Sequence, residues 1–135
     1  MKTLLILFYS LFFALSVSAQ VNILGCPGNT LSRSVTIASG DTTSAAISLG
    51  CFTPVAIQLA AFTGTAVSFT AAVSSDGTYA AVKSTTSGTA LSYTVAPNTF
   101  AALDPKDLYG ISFIKIVAGS AQSADRTLTL YLKGF

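Results

Sequence analysis

Short runs in which apolar and polar residues alternate occupy most of the chain after about residue 33. In the clearest run, at the C-terminal end, Leu128, Leu130 and Leu132 alternate with polar or amphipathic residues. Side chains two positions apart point to the same face of a β-strand. Each run therefore predicts a strand with one face buried and one face exposed.

The runs recur about every 8 to 12 residues, with turn-forming residues between them, which is the spacing of a sandwich or barrel. Ser39-Gly40-Asp41 predicts a turn, and Asp76-Gly77 predicts a tight hairpin in which Gly77 takes a positive φ. We predict an all-β, antiparallel two-sheet sandwich of jelly-roll type with eight or nine strands. Its predicted core contains Ile37, Ile47, Ile57, Phe69, Tyr93, Ile114 and Leu130.

One segment, residues 104–110, predicts a short helical turn instead of a strand. Asp104 is the expected N-cap, Pro105 suits the first helical position, and Gly110 ends the turn. The following run, residues 111–118, is apolar on both faces apart from Ser112 and Lys115, which is typical of a central strand.

The N-terminus has the pattern of a secretory signal peptide: Lys2, an apolar run, and then Val17 and Ala19 as small residues before a cut. The run is shorter than the roughly 20 residues of a membrane span. We assign residues 1–19 to a signal peptide or hydrophobic arm, 20–32 to a leader and 33–135 to the domain. Contact with a membrane is expected only through the N-terminal segment, if it is retained.

Ile23-Leu24-Gly25-Cys26 has the form of a lipobox, in which the cysteine is acylated. This alternative to cleavage after Ala19 would anchor the domain to a membrane. In an exported protein, the two cysteines that follow the N-terminal segment, Cys26 and Cys51, are expected to form one disulfide. Two unrelated buried thiols are the alternative.

The charged residues give little support for nucleic-acid binding, metal binding or catalysis. The net charge of +2 comes from scattered Lys and Arg, whereas a nucleic-acid site needs clustered cations. The chain has no His, so a serine or cysteine nucleophile lacks its usual base. We therefore predict no enzyme activity, no catalytic residue, no cofactor, no metal site and no nucleic-acid partner.

The carboxylates of Asp104 and Asp107 are close enough in the chain for an acid–base pair or a calcium site, but capping of the short turn explains their spacing better. Exposed aromatic residues would offer another kind of site, because several on one face can stack on a sugar ring. The aromatic residues considered for this are Phe52, Phe62, Tyr79, Tyr93, Tyr109 and Tyr131.

About three-quarters of the chain, from Val35 to Leu132, resembles a domain of tailed-phage and prophage virion proteins. The matching stretches are residues 37–40, 44–47, 53–59, Phe69 with 75–79, 102–105, 110–120 and 124–130. The resemblance implies a capsid-decoration or related virion protein that binds a repeating viral protein lattice or its own copies. The export-type N-terminus and Cys51 depart from that pattern.

Two functions remain open at this point. The first is a virion structural protein that acts through protein–protein contacts. The second is a secreted, periplasmic or surface-anchored module that binds carbohydrate or mediates adhesion. Flat strand faces of Ala, Ser and Thr and a low content of charged residues favour assembly.

Overall fold

The computed structural model describes Cys26 and residues 28–134. The predicted signal peptide and the lipobox residues before Cys26 lie outside this part of the chain. No helix among the described residues is long and apolar enough to span a membrane. The elements are β1 (Thr30–Ile37), β2 (Ile47–Ser48), β3 (Phe52–Leu59), β4 (Ala66–Ala72), β5 (Ala80–Ala81), β6 (Ser92–Thr94), β7 (Thr99–Ala102), α1 (Pro105–Leu108), β8 (Phe113–Ala118) and β9 (Arg126–Gly134).

The strands form two antiparallel sheets. One sheet has the order β1-β9-β3-β7, and the other has the order β2-β8-β4-β5, with β6 also paired to β4. Because β5 and β6 pair with successive parts of β4, together they take the place of one edge strand. The chain crosses repeatedly from one sheet to the other, as it does in a jelly roll. The predicted all-β sandwich is therefore confirmed.

The core lies between the sheets and follows the predicted alternation. Six of the seven residues predicted for the core are buried: Ile37, Ile47, Ile57, Phe69, Ile114 and Leu130. The seventh, Tyr93, is half-buried, and its hydroxyl accepts a hydrogen bond from the backbone N–H of Asp104 at 2.9 Å. Burial raises the pKa of the Tyr93 phenol.

The helical turn forms where the sequence predicts it. The side chain of Asp104 accepts a hydrogen bond from the N–H of Lys106 at 3.0 Å, and Pro105 opens α1. Gly110 follows with φ of +77°, a conformation that L-residues with a Cβ rarely adopt. The first sheet begins at Thr30, so residues 30–32 of the predicted leader lie in β1.

The turn after β4 differs from the predicted tight Asp-Gly hairpin. The chain does return to pair β5 with β4, but Gly77 is not among the described glycines with positive φ. Its N–H donates to the carbonyl of Ser74 at 3.2 Å, which places Gly77 at the fourth position of the turn. A Cβ there would lie 2.9 Å from Ser74 Oγ, so close packing explains the glycine.

Gln122 joins three loops from a buried position, although its segment reads as a polar surface loop. Its side-chain oxygen accepts from the N–H of Thr63 at 2.9 Å, and its amide nitrogen donates to the carbonyls of Thr63 and Ser120. Its backbone bonds to Gly40 and Asp41. Because every polar group of Gln122 has a partner, its burial carries no unsatisfied hydrogen bond.

Leu130→Ala tests the core. Leu130 is fully buried on the central strand of its sheet, so we expect the free energy of unfolding to fall by about 2 to 5 kcal/mol. Urea denaturation followed by circular dichroism measures the loss. The neighbouring Thr129→Ala, on the outer face of the same strand, serves as control and should cost less than about 1 kcal/mol. Equal losses would contradict the assigned strand faces.

Candidate functional site

The structure joins Cys26 and Cys51 in a disulfide, with a Cα–Cα distance of 6.0 Å. The bond fixes the start of the described chain to the turn before β3. A Cβ at Gly134 would overlap the carbonyl of Cys26, so only glycine allows the two segments to lie this close. A Cys26 held in this disulfide cannot also carry a lipid thioether, so the two hypotheses for Cys26 exclude each other.

The two carboxylates of the short helical turn have separate structural partners. Asp104 caps the turn, whereas Asp107 Oδ1 accepts hydrogen bonds from the N–H and the hydroxyl of Thr85, at 2.6 and 2.7 Å. The backbone hydrogen bond from Thr85, followed by its hydroxyl, lowers the pKa of Asp107. Asp107 therefore holds the loop of residues 84–89 against the turn, a contact that the sequence does not reveal.

No group of three or more His, Cys, Asp or Glu residues that could hold a metal ion occurs within Cys26 and residues 28–134. Among the six aromatic residues considered for sugar stacking, Phe52 and Phe62 are buried. Tyr79 lies under the ammonium of Lys115, which is 4.2 Å from its ring centroid. Tyr93 is half-buried and packs edge-on against Phe69, with ring centroids 6.1 Å apart. Tyr109 and Tyr131 remain, and they lie on two different surfaces.

The first surface is the outer face of the four-stranded sheet. We call it the aromatic face and define it by Gln58, Phe100 and Tyr131. The rings of Phe100 and Tyr131 have centroids 4.8 Å apart and planes inclined by 37°. Phe100 is 57% exposed, and the Tyr131 hydroxyl donates to Gln58 Oε1 at 2.9 Å.

Register explains how these side chains meet. Gln58 pairs with Phe100 on one side and with Thr129 on the other, and Thr129 pairs with Ser34. These four residues form one row across the sheet. The next row contains Ser32, Tyr131, Ala56 and Ala102. Since both alanines are small, the rings of Phe100 and Tyr131 have space to lie side by side between β7 and β9.

Phe100 is not among the aromatic residues that the sequence suggested for sugar stacking, although strand alternation gives a signal for it. Leu103 is buried and Ala101 is half-buried against the core, so strand alternation places Phe100 on the outer face. Alternation identifies this exposed ring, but it does not place Tyr131 next to it. That neighbour depends on the pairing of β3 with both β7 and β9.

The second surface lies where β4 ends and β8 begins. We call it the apolar end and define it by Val73, Tyr109 and Ile111. A groove of about 340 Å³ contains Val73, Gly110 and Ile111 in its lining, and a second groove of about 220 Å³ contains Tyr109, Gly110 and Ile111. The two grooves are adjacent, because both are lined by Gly110 and Ile111.

Val73 is 90% exposed and Tyr109 is 70% exposed. The alternation of Val67, Phe69 and Ala71 predicts that Val73 also faces the core, and this prediction is wrong. β4 ends at Ala72, so the side chain of Val73 no longer follows the strand. Two of the three large apolar side chains exposed in the described chain therefore lie at one end of the sandwich.

The fold and these surfaces define a disulfide-linked jelly-roll domain with two exposed apolar or aromatic surfaces. Comparison with protein-family models, with curated proteins and with solved structures finds no match. The function is therefore inferred from the chemistry of the two surfaces.

The disulfide can be tested directly. The unfolded, unreduced protein should contain no free thiol, and the double variant Cys26→Ser, Cys51→Ser should lose about 3 kcal/mol of stability. The reason is that the bond closes a loop spanning 25 residues and so restricts the unfolded chain. Thiol titration in urea and equilibrium unfolding measure the two effects. Two titratable thiols in the unreduced protein would contradict the pairing.

The lowered pKa of Asp107 predicts that its contact with Thr85 depends on pH. Its pKa is lowered in the folded state, so its stabilising contribution is complete above the ordinary aspartate pKa of about 4 and is lost as the pH falls through the lowered value. Asp107→Asn should speed hydrogen exchange of the Thr85 amide at neutral pH. In the unsubstituted protein, the exchange rate of the Thr85 amide is corrected for the intrinsic pH dependence of amide exchange. The corrected rate should rise only when the pH falls through the lowered pKa of Asp107. Unchanged protection in the variant would refute the contact.

Proposed function

We propose that this chain is a non-enzymatic structural protein that assembles through protein–protein contacts, as a capsid-decoration protein or a related virion component. The observation that carries the proposal is the apolar end, where exposed Val73 and exposed Tyr109 line two adjacent grooves. Its partner in this proposal is a second copy of the chain or a repeating protein lattice.

The chemistry of the apolar end favours a protein partner. Exposed apolar side chains that lie together, instead of singly, are typical of interaction sites. Burying the Val73 side chain in an interface contributes about 1.5 to 3 kcal/mol at full burial. Tyr109 is a tyrosine, one of the residue types that are enriched among those contributing most to binding energy, because the ring is large and carries a polar hydroxyl.

The composition of the chain supports the same function. Charged residues make up 9% of the sequence, so few ionic groups need to lose water when two surfaces meet. Serine, threonine and alanine on the outer strand faces allow close approach of another protein. A disulfide suits a virion surface, which is an oxidising environment, and also suits a secreted location.

Sedimentation velocity of the purified protein at micromolar concentration tests the proposal. We expect self-association, or co-sedimentation with a candidate capsid or sheath protein. The double variant Val73→Ser, Tyr109→Ser should weaken the association by about tenfold or more, because it removes both exposed apolar groups. Both side chains are exposed, so we expect the variant to fold normally.

Phe100→Ser is the matched control, because it also removes an exposed apolar side chain but from the other surface. It should leave the association unchanged. If the protein is strictly monomeric and binds none of the candidate lattices, the proposed function is wrong. If the control weakens the association as much as the double variant, the apolar end is not the contact.

A further inference from the structure

The aromatic face carries chemistry that the proposed assembly role does not use. Phe100 is 57% exposed and lies beside Tyr131, and the residues next to Tyr131 in its row, Ala56 and Ala102, are small. An exposed aromatic ring supported from one side offers a flat apolar platform. Such a platform suits the apolar face of a sugar ring, which carries C–H groups.

Hydrogen-bonding groups surround this platform. The Tyr131 hydroxyl donates to Gln58 Oε1, which leaves the amide N–H groups of Gln58 without a partner among the described residues. The hydroxyls of Ser34 and Thr129 pair with each other at 3.1 Å, and each hydroxyl still has a free acceptor site. Donors and acceptors are therefore both available within one row of the sheet.

A shallow groove continues the platform. It has a volume of about 270 Å³ and is lined in part by Thr30, Ser32, Val55 and Tyr131. The groove lies where the register of β3 against β9 shifts between Pro54 and Ala56, so that Val55 is an extra residue. The row that contains Tyr131 crosses four strands, roughly 14 Å at the usual spacing. This length suits several linked sugar units.

The small number of charged residues on the aromatic face indicates which class of ligand it can bind. Lys133 is the one charged residue at an outward position of the four strands of this sheet, and it lies near the end of β9. An anionic polymer would require more cations, and a cationic one would require carboxylates. A purely apolar ligand would leave the amide and hydroxyl groups without partners. An uncharged ligand with many hydroxyls needs no charged partner on the face and can bond to its amide and hydroxyl groups.

We propose that the aromatic face binds a neutral polysaccharide, with a sugar ring stacked on Phe100 and sugar hydroxyls bonded to Gln58 and Tyr131. This site is separate from the apolar end, so it goes beyond the assembly role and does not depend on it. The two surfaces together describe a protein that assembles by one surface and holds a glycan by the other.

Affinity electrophoresis of the full-length protein tests this proposal. The probes are four neutral polysaccharides, namely hydroxyethylcellulose, xylan, laminarin and galactomannan, with polygalacturonate as the anionic comparison. We expect at least one neutral polymer to retard the protein and polygalacturonate not to. Phe100→Ala should weaken the binding by about tenfold, since it removes the stacking ring. Gln58→Ala should weaken it by about fivefold through the lost hydrogen bonds.

The double variant Val73→Ser, Tyr109→Ser is the control and should bind the polysaccharide normally. Circular dichroism of each variant checks that the sandwich is retained. The proposal is overturned if no neutral polymer retards the protein, or if Phe100→Ala and Gln58→Ala bind as well as the unchanged chain. It is also overturned if Phe100→Ala abolishes self-association while no glycan binds, because the face is then a protein interface. If the double variant Val73→Ser, Tyr109→Ser does not assemble but still binds the polysaccharide, the proposed glycan site still holds.

Discussion

β9 lies inside the four-stranded sheet, between β1 and β3, and its leucines pack against the opposite sheet. Leu128, Leu130 and Leu132 are each at most 1% exposed. Because β1 and β9 are the first and last of the described strands, this sheet is complete only when the two ends of the described chain have come together. The strict alternation in β9 also determines the other face, since each buried leucine places the next side chain on the outer surface. The core and the aromatic face therefore depend on the same strand.

Buried polar side chains in this weakly charged domain are held by hydrogen bonds between loops, with Arg126 Nε the one buried side-chain nitrogen or oxygen of the described residues that has no partner. Gln122 connects three loops at one end, and the disulfide between Cys26 and Cys51 fixes the chain at the start of β3. On the outer face of the sheet, Ser34 pairs with Thr129 and Thr36 with Thr127 through their hydroxyls. Such pairs across strands stabilise a sheet without charge. The outer face can therefore lose water at low cost, which suits a surface that binds a neutral partner.

The apolar end and the groove of the aromatic face both lie where a strand is irregular: at the end of β4 and at the register shift in β3. The apolar end exists because β4 stops at Ala72, before the apolar alternation of its sequence stops. The groove of the aromatic face exists because one extra residue, Val55, lies in β3 opposite β9. Bulges and strand ends expose side chains that a longer, uniform strand would bury or pair. Neither feature is encoded in the local alternation, so only the structure locates them.

The sequence alone determined the fold class, six of the seven residues named for the core and the capped helical turn, because each depends on neighbours close in the chain. Alternation with a period of two identifies a buried face, and Asp104 with Pro105 is a local signal for a helix start. The tertiary structure decided the contacts between distant residues: Phe100 with Tyr131, Asp107 with Thr85, and Gln122 with Thr63. These pairs depend on strand register and loop packing. Register is set by the fit of two whole sheets, and no single segment of the sequence contains that information.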